Sequence, residues 1–176
     1  MIEIRTLAAQ LHLRAGGDGR TIEGLAVPFG VEVDIGHYRE RFVRGAFADA
    51  VPALVPLTAT HPRDGGELPI GIAVELVEGD DGLHAAFRVS DTALGNDVLT
   101  LVNDKAVGAL SVGFLPDPSS DVWSADRSSV VRHHAQLDHV AVVRAGAYPT
   151  ARITAVRSSD HPVDHHRLTV ALLTRR

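Results

Sequence analysis

Three side chains far apart in the chain have the types needed for acyl transfer: His61, Ser111 and His139. They lie in the segments Thr60-His61-Pro62-Arg63-Asp64, Gly108-Ala109-Leu110-Ser111-Val112-Gly113-Phe114 and Leu137-Asp138-His139-Val140-Ala141-Val142-Val143. A serine hydroxyl becomes a useful nucleophile when an imidazole takes its proton. That imidazole needs a third group to fix its tautomer and orientation. Pro62 pushes His61 out of the helical region, so its ring is presented from an extended backbone. Two neighbours compete for the third role, Asp138 and His139. Side chains alternate across a strand, so the sequence predicts that these two point apart and that one alone serves the base.

Each residue also has a plainer reading. Ser111 fits a small polar residue on a strand, satisfied by backbone. His61 fits an exposed loop histidine, and His139 a buried histidine bonded to backbone. Other chemistries are easier to set aside. A nucleophile elbow needs Gly-x-Ser-x-Gly with the helix after the serine, whereas here Ala109 takes the first position and the helical pattern comes before Ser111. There is no His-Glu-x-x-His and no Gly-Lys-Ser/Thr phosphate loop. His161, His165 and His166 with Asp160 and Asp164 are of metal-ligating type. Pro162 opposes a regular helix presenting His161 and His165 together, so this stretch reads as a solvated tail, with no metal and no cofactor expected.

The elements that must position these groups read as many short strands and one clear helix. The chain has 176 residues, 45% hydrophobic, which suits one domain with a real core. Residues 1–14, with a possible bulge, and 21–29 read as strands flanking the turn cluster Gly16-Gly17-Asp18-Gly19, so a hairpin is predicted. Residues 46–51 read as a short helix ended by Pro52, and residues 54–60 as a buried strand running into His61. Residues 70–77 and 83–89 form a second predicted hairpin around Glu78-Gly79-Asp80-Asp81-Gly82. The helix is predicted over residues 93–107, with Leu94, Val98, Leu101 and Val102 as its apolar stripe. Asp91 or Thr92 caps its start and Gly108 ends it. A strand at 109–115, a polar excursion at 116–129, one long strand over 130–143 and a last strand at 152–156 follow. The fold class expected is mainly β with helices (α+β): a closed or nearly closed β-barrel with a few helices around it.

Bulk properties narrow the partners. The net charge of −5 speaks against a nucleic-acid binder, which is usually basic. The chain has no cysteine, which excludes disulfides and a cysteine nucleophile. No apolar run reaches the roughly 20 residues that span a bilayer, and the N-terminus lacks a signal-peptide layout. No membrane association and an intracellular location are expected.

The wording and order of the segments resemble the phage prohead proteases, serine proteases distantly related to the herpesvirus assemblins. The resemblance runs from about Gly24 to Val156. It rests on Gly24-Leu25-Ala26-Val27-Pro28-Phe29, Glu40-Arg41-Phe42-Val43-Arg44-Gly45-Ala46-Phe47, His61, Pro69-Ile70-Gly71, Asp81-Gly82-Leu83, and the Ser111 and His139 segments. It implies an assemblin-like barrel over residues 1–156 and a tail at 157–176 open to self-processing or scaffold docking. It implies Ser111 as nucleophile, His61 as base and His139 as third member, where many relatives carry Glu, with Asp138 kept as the alternative. A neutral imidazole there lacks a full negative charge, so modest turnover is expected. The turn after the third strand implies Gly146 or Ala147 as oxyanion donor. The substrates and partners implied are the major capsid protein and its scaffold segment inside a prohead in the bacterial host, with a homo-oligomer left open. The rival reading is an assembly factor with a decayed site.

Overall fold

The computed structural model describes residues 2–5, 11–13 (backbone), 18–61 and 68–144. In chain order the strands are β1 (Glu3–Arg5), β2 (Leu11–Leu13), β3 (Thr21–Pro28), β4 (Val33–Asp34), β5 (Arg39–Phe42), β6 (Pro56–Thr58), β7 (Gly71–Glu78) and β8 (Gly82–Val89), then helix α1 (Ala93–Asn103), β9 (Ala109–Pro116), β10 (Asp121–Trp123), β11 (Ser129–Arg132) and β12 (Ala135–Val143). Eight strands form one sheet in the order β1-β9-β12-β6-β7-β8-β3-β2, and four form a second in the order β10-β11-β5-β4.

The closed barrel does not form. The large sheet is an open, curled half-barrel with β1 and β2 at its edges. Its twist brings β3 and β9, each one strand in from an edge, near one another across the open side. The predicted ring of helices is reduced, among the described residues, to α1 and a single 3₁₀ turn at Pro52–Leu54. The N-terminal hairpin forms between β2 and β3, while β1, from the same predicted strand, pairs with β9. The β7–β8 hairpin forms where its turn chemistry placed it.

Residues 46–51 make successive turns rather than a helix. Gly45 has φ +94°, a conformation that favours glycine. The Glu78 carboxylate accepts from Gly45 N at 2.7 Å and Phe47 N at 2.8 Å, which holds the segment as a loop. That loop fixes the start of β12, since Ala135 N donates to Ala46 O at 2.8 Å. Helix α1 begins where predicted, with Thr92 Oγ1 accepting from Gly95 N. It ends earlier than Gly108, because Lys105 takes a left-handed φ of 60°. Its buried face is Gly95, Val98 and Val102, while Leu94 and Leu101 are exposed. The single strand predicted over 130–143 is broken at His133-His134 into β11 and β12, which belong to different sheets.

The core under the large sheet is built from Ile22, Leu57, Phe87, Leu110, Val112, Phe114, Val140 and their neighbours. Beside it, a buried charge cluster ties the two sheets. Arg132 (2% exposed) donates to Glu40 (1% exposed), and to Asp121 at 2.5 Å and Tyr38 Oη at 3.1 Å. Arg5 from β1 reaches Glu40 at 2.7 Å. Both guanidinium groups lie over the Phe114 ring, 5.5 and 5.7 Å from its centroid. Burial raises the Asp121 carboxyl above its ordinary range against the pull of Arg132, and burial with the nearby Glu3 raises Tyr38.

Candidate active site

Alternation along β9 sorts the Leu-Ser-Val-Gly-Phe segment into two sets. Leu110, Val112 and Phe114 enter the core. Ser111 and Gly113 therefore face the other side of the sheet. On the adjacent β12, Ala141 pairs with Ser111, and His139 pairs with Gly113. On its other flank β12 runs parallel to β6, with Ala141 opposite Thr58. Thr58 Oγ1 donates to Val140 O at 3.3 Å and knits the two strands together. Three residues beyond Thr58 the chain reaches His61. Thus β12 lies between the strand that bears the serine and the strand that leads to the histidine.

The three residues singled out from sequence meet here. His61 Nε2 lies 2.5 Å from Ser111 Oγ. His61 Nδ1 lies 2.8 Å from His139 Nε2, with the two rings 5.1 Å apart and 69° from parallel. Ser111 is fully buried and His139 is 3% exposed, while His61 is half-buried. A hydroxyl whose proton faces a ring nitrogen, with the other nitrogen of that ring held by a third group, is the arrangement that general-base activation of serine requires.

Two features escaped the sequence reading. The first is a β-bulge. The register of β12 against β9 shifts between Leu137 and His139, so Asp138 is the extra residue. Simple alternation fails there, and Asp138 and His139 do not point apart: Asp138 Oδ2 lies 2.8 Å from His139 Nδ1. The second is the role of Gly113. A Cβ built on it would overlap the His139 ring at Cε1, Nδ1 and Nε2. Both left a trace in the sequence. The core residues of β12 run Ala135, Leu137, then Val140, Val142, a step of three where a regular strand steps by two. A glycine inside a strand marks a bulge or a close approach. The oxyanion candidates Gly146 and Ala147, the strand at 152–156, the histidines at 161–166 and the tail lie outside the described residues. Among the described residues no cluster of His, Cys, Asp or Glu is arranged to hold a metal ion, and no helix is long and apolar enough to cross a membrane.

A serine and two histidines thus lie hydrogen-bonded in series on an open, curled β-sheet. The profile of the caudovirus prohead serine proteases matches residues 9–166, and the chain belongs to that family. It is accordingly a serine protease of phage capsid maturation. Among solved structures, the capsid assembly protease gp21 of bacteriophage T4 shares the fold, with a TM-score of 0.57 and 13% identity over 81% of this chain and 96% of that one. No curated protein sequence matches the chain.

Proposed function

We propose that Ser111 is the nucleophile of an endopeptidase that cleaves scaffold and capsid precursor segments, and that His61 is its base and His139 the orienting group. Ser111 Oγ bonds to the scissile carbonyl carbon as its proton passes to His61 Nε2. The tetrahedral intermediate collapses, the C–N bond breaks, and the leaving amine takes the proton from His61. Water repeats the sequence on the acyl-enzyme and restores the serine. The backbone N–H groups of Gly146 or Ala147 are proposed to stabilise the oxyanion. The observation that carries the reading is the continuous hydrogen-bonded series Ser111–His61–His139 in a chain of this family. The reaction needs no cofactor. Its place is inside the assembling prohead in the bacterial cytoplasm, its partners are the major capsid protein and its scaffold segment, and the residues after 156 are a candidate for self-cleavage.

The test is covalent labelling by a fluorophosphonate together with cleavage of the capsid precursor. Wild type should label at Ser111 and cleave. Ser111→Ala should do neither while keeping its thermal midpoint within a few degrees, since one buried oxygen is lost. Cleavage by Ser111→Ala near the wild-type rate would move the nucleophile elsewhere. A wild-type protein that neither labels nor cleaves, yet promotes capsid assembly, would establish the assembly-factor reading instead.

A further inference from the structure

We infer that Asp138 is a positioning residue that acts on Ser111 through both histidines, so that the site is a series of four groups ending in a carboxylate. The inference rests on the protease reading above and concerns what aligns its base.

An ionised carboxylate accepts hydrogen bonds and donates none. Asp138 Oδ2 lies 2.8 Å from His139 Nδ1, so that nitrogen carries the proton. In a neutral imidazole one nitrogen donates and the other accepts. His139 Nε2 is therefore bare, and at 2.8 Å from His61 Nδ1 it accepts from it. His61 Nδ1 then carries the proton, which leaves His61 Nε2 bare at 2.5 Å from Ser111 Oγ. One carboxylate thus fixes two tautomers and leaves the base able to take the serine proton. Without it, each ring has two neutral tautomers to choose from, and the competent pair is one combination among several.

The carboxylate reaches this position only because the strand is bulged. A regular β12 would send Asp138 to the face opposite His139. The extra residue between the register pairs Leu137–Phe114 and His139–Gly113 turns both side chains so that they bond to each other. Asp138 is also placed to act electrostatically. When His61 becomes cationic, it is stabilised by a full negative charge relayed through a buried ring. The side chain of His139 is 4% exposed and that of Asp138 37%. The charged end is therefore solvated, while the neutral ring takes the buried place next to the base. On this inference a full charge stands behind the neutral third member, in place of the modest turnover expected from a neutral imidazole alone.

The experiment compares wild type, Asp138→Asn and Asp138→Ala by fluorophosphonate labelling and by ¹⁵N NMR of histidine-labelled full-length protein, with His139→Gln to assign the His139 signals. Asn is isosteric, but its NH₂ can donate to His139 Nδ1 and invert the tautomers. The expected result is a fall in the limiting labelling rate of about 10- to 100-fold, the range of a charge-assisted hydrogen bond. The half-saturating probe concentration and the thermal midpoint should stay near wild type. The NMR shifts should report a protonated Nδ1 at His139 in wild type and its loss in Asp138→Asn. Labelling within twofold of wild type in both variants, or an unchanged His139 tautomer in Asp138→Asn, overturns the inference while leaving the protease reading intact. Failure of the protease reading has a separate signature: labelling that survives Ser111→Ala.

Discussion

The His139 ring lies against the Cα of Gly113, in the space that any side chain at that position would occupy. Glycine here is a matter of room for the imidazole, and it explains why the residue two beyond Ser111 lacks a side chain. Gly113→Ala should displace His139, and with it the ring that aligns His61. A shift of about 1 Å in a reacting group costs on the order of 100-fold, and overpacking costs about 1–3 kcal/mol of stability. Fluorophosphonate labelling and a denaturation curve measure the two. Wild-type labelling in Gly113→Ala would show that the ring's seat does not matter.

Reactivity should rise with pH across the histidine range. Protonated His61 has no lone pair to accept the Ser111 proton, so the active form is the neutral one. Labelling rates should therefore climb from acid toward neutral pH. A flat profile over that interval would remove His61 from the role of base.

The two ion-pair environments should differ sharply in energy. Arg132 is buried against Glu40 and Asp121, so Arg132→Met leaves those carboxylates uncompensated. The loss should be about 3–5 kcal/mol. Arg39 pairs with Glu32 at 3.0 Å, but both side chains are well exposed, and Arg39→Ala should cost less than about 1 kcal/mol. Urea denaturation of both variants checks the contrast, and equal losses would refute the assignment of the buried cluster as the tie between the sheets.

The turn between β10 and β11 should have its own acid transition. Asp126 is lowered from 3.8 to about 2 by hydrogen bonds from the Ser124 hydroxyl, then the Ser128 amide and hydroxyl. The folded carboxyl is thus harder to protonate than the unfolded one. Its contribution to stability is complete above about pH 4 and is lost as pH falls through about 2. An NMR titration of the carboxyl carbon should give that low midpoint, and Ser124→Ala should raise it. A midpoint near 4 in wild type would contradict the turn geometry.

What the sequence revealed was whatever local chemistry determines. The β7–β8 hairpin was legible from Glu78 to Gly82 because turn residues force it, and the α1 start from Thr92 because a cap announces itself. His61, Ser111 and His139 were legible as a set because their segments are worded distinctively. Closure of the barrel was not, since it depends on curvature accumulated over eight strands. The break at His133-His134 was hidden because both flanking stretches are strand-like, and only their assignment to different sheets separates them. The contact of Asp138 with His139 is not legible by alternation, because the apolar step of three from Leu137 to Val140 breaks that rule at the bulge.

The insertion of β12 between β9 and β6 sets a timetable for the site. Ser111 and His61 are 50 residues apart in the chain, and His61 and His139 are 78 apart. A growing chain that has emerged only through β9 already contains both the serine and the histidine, yet lacks the strand that holds them side by side. Pairings this distant are formed late, after the loop-closure entropy has been met. Until β12 docks between β9 and β6 no strand holds Ser111 beside His61, so the site exists only in a chain whose most distant pairings have formed.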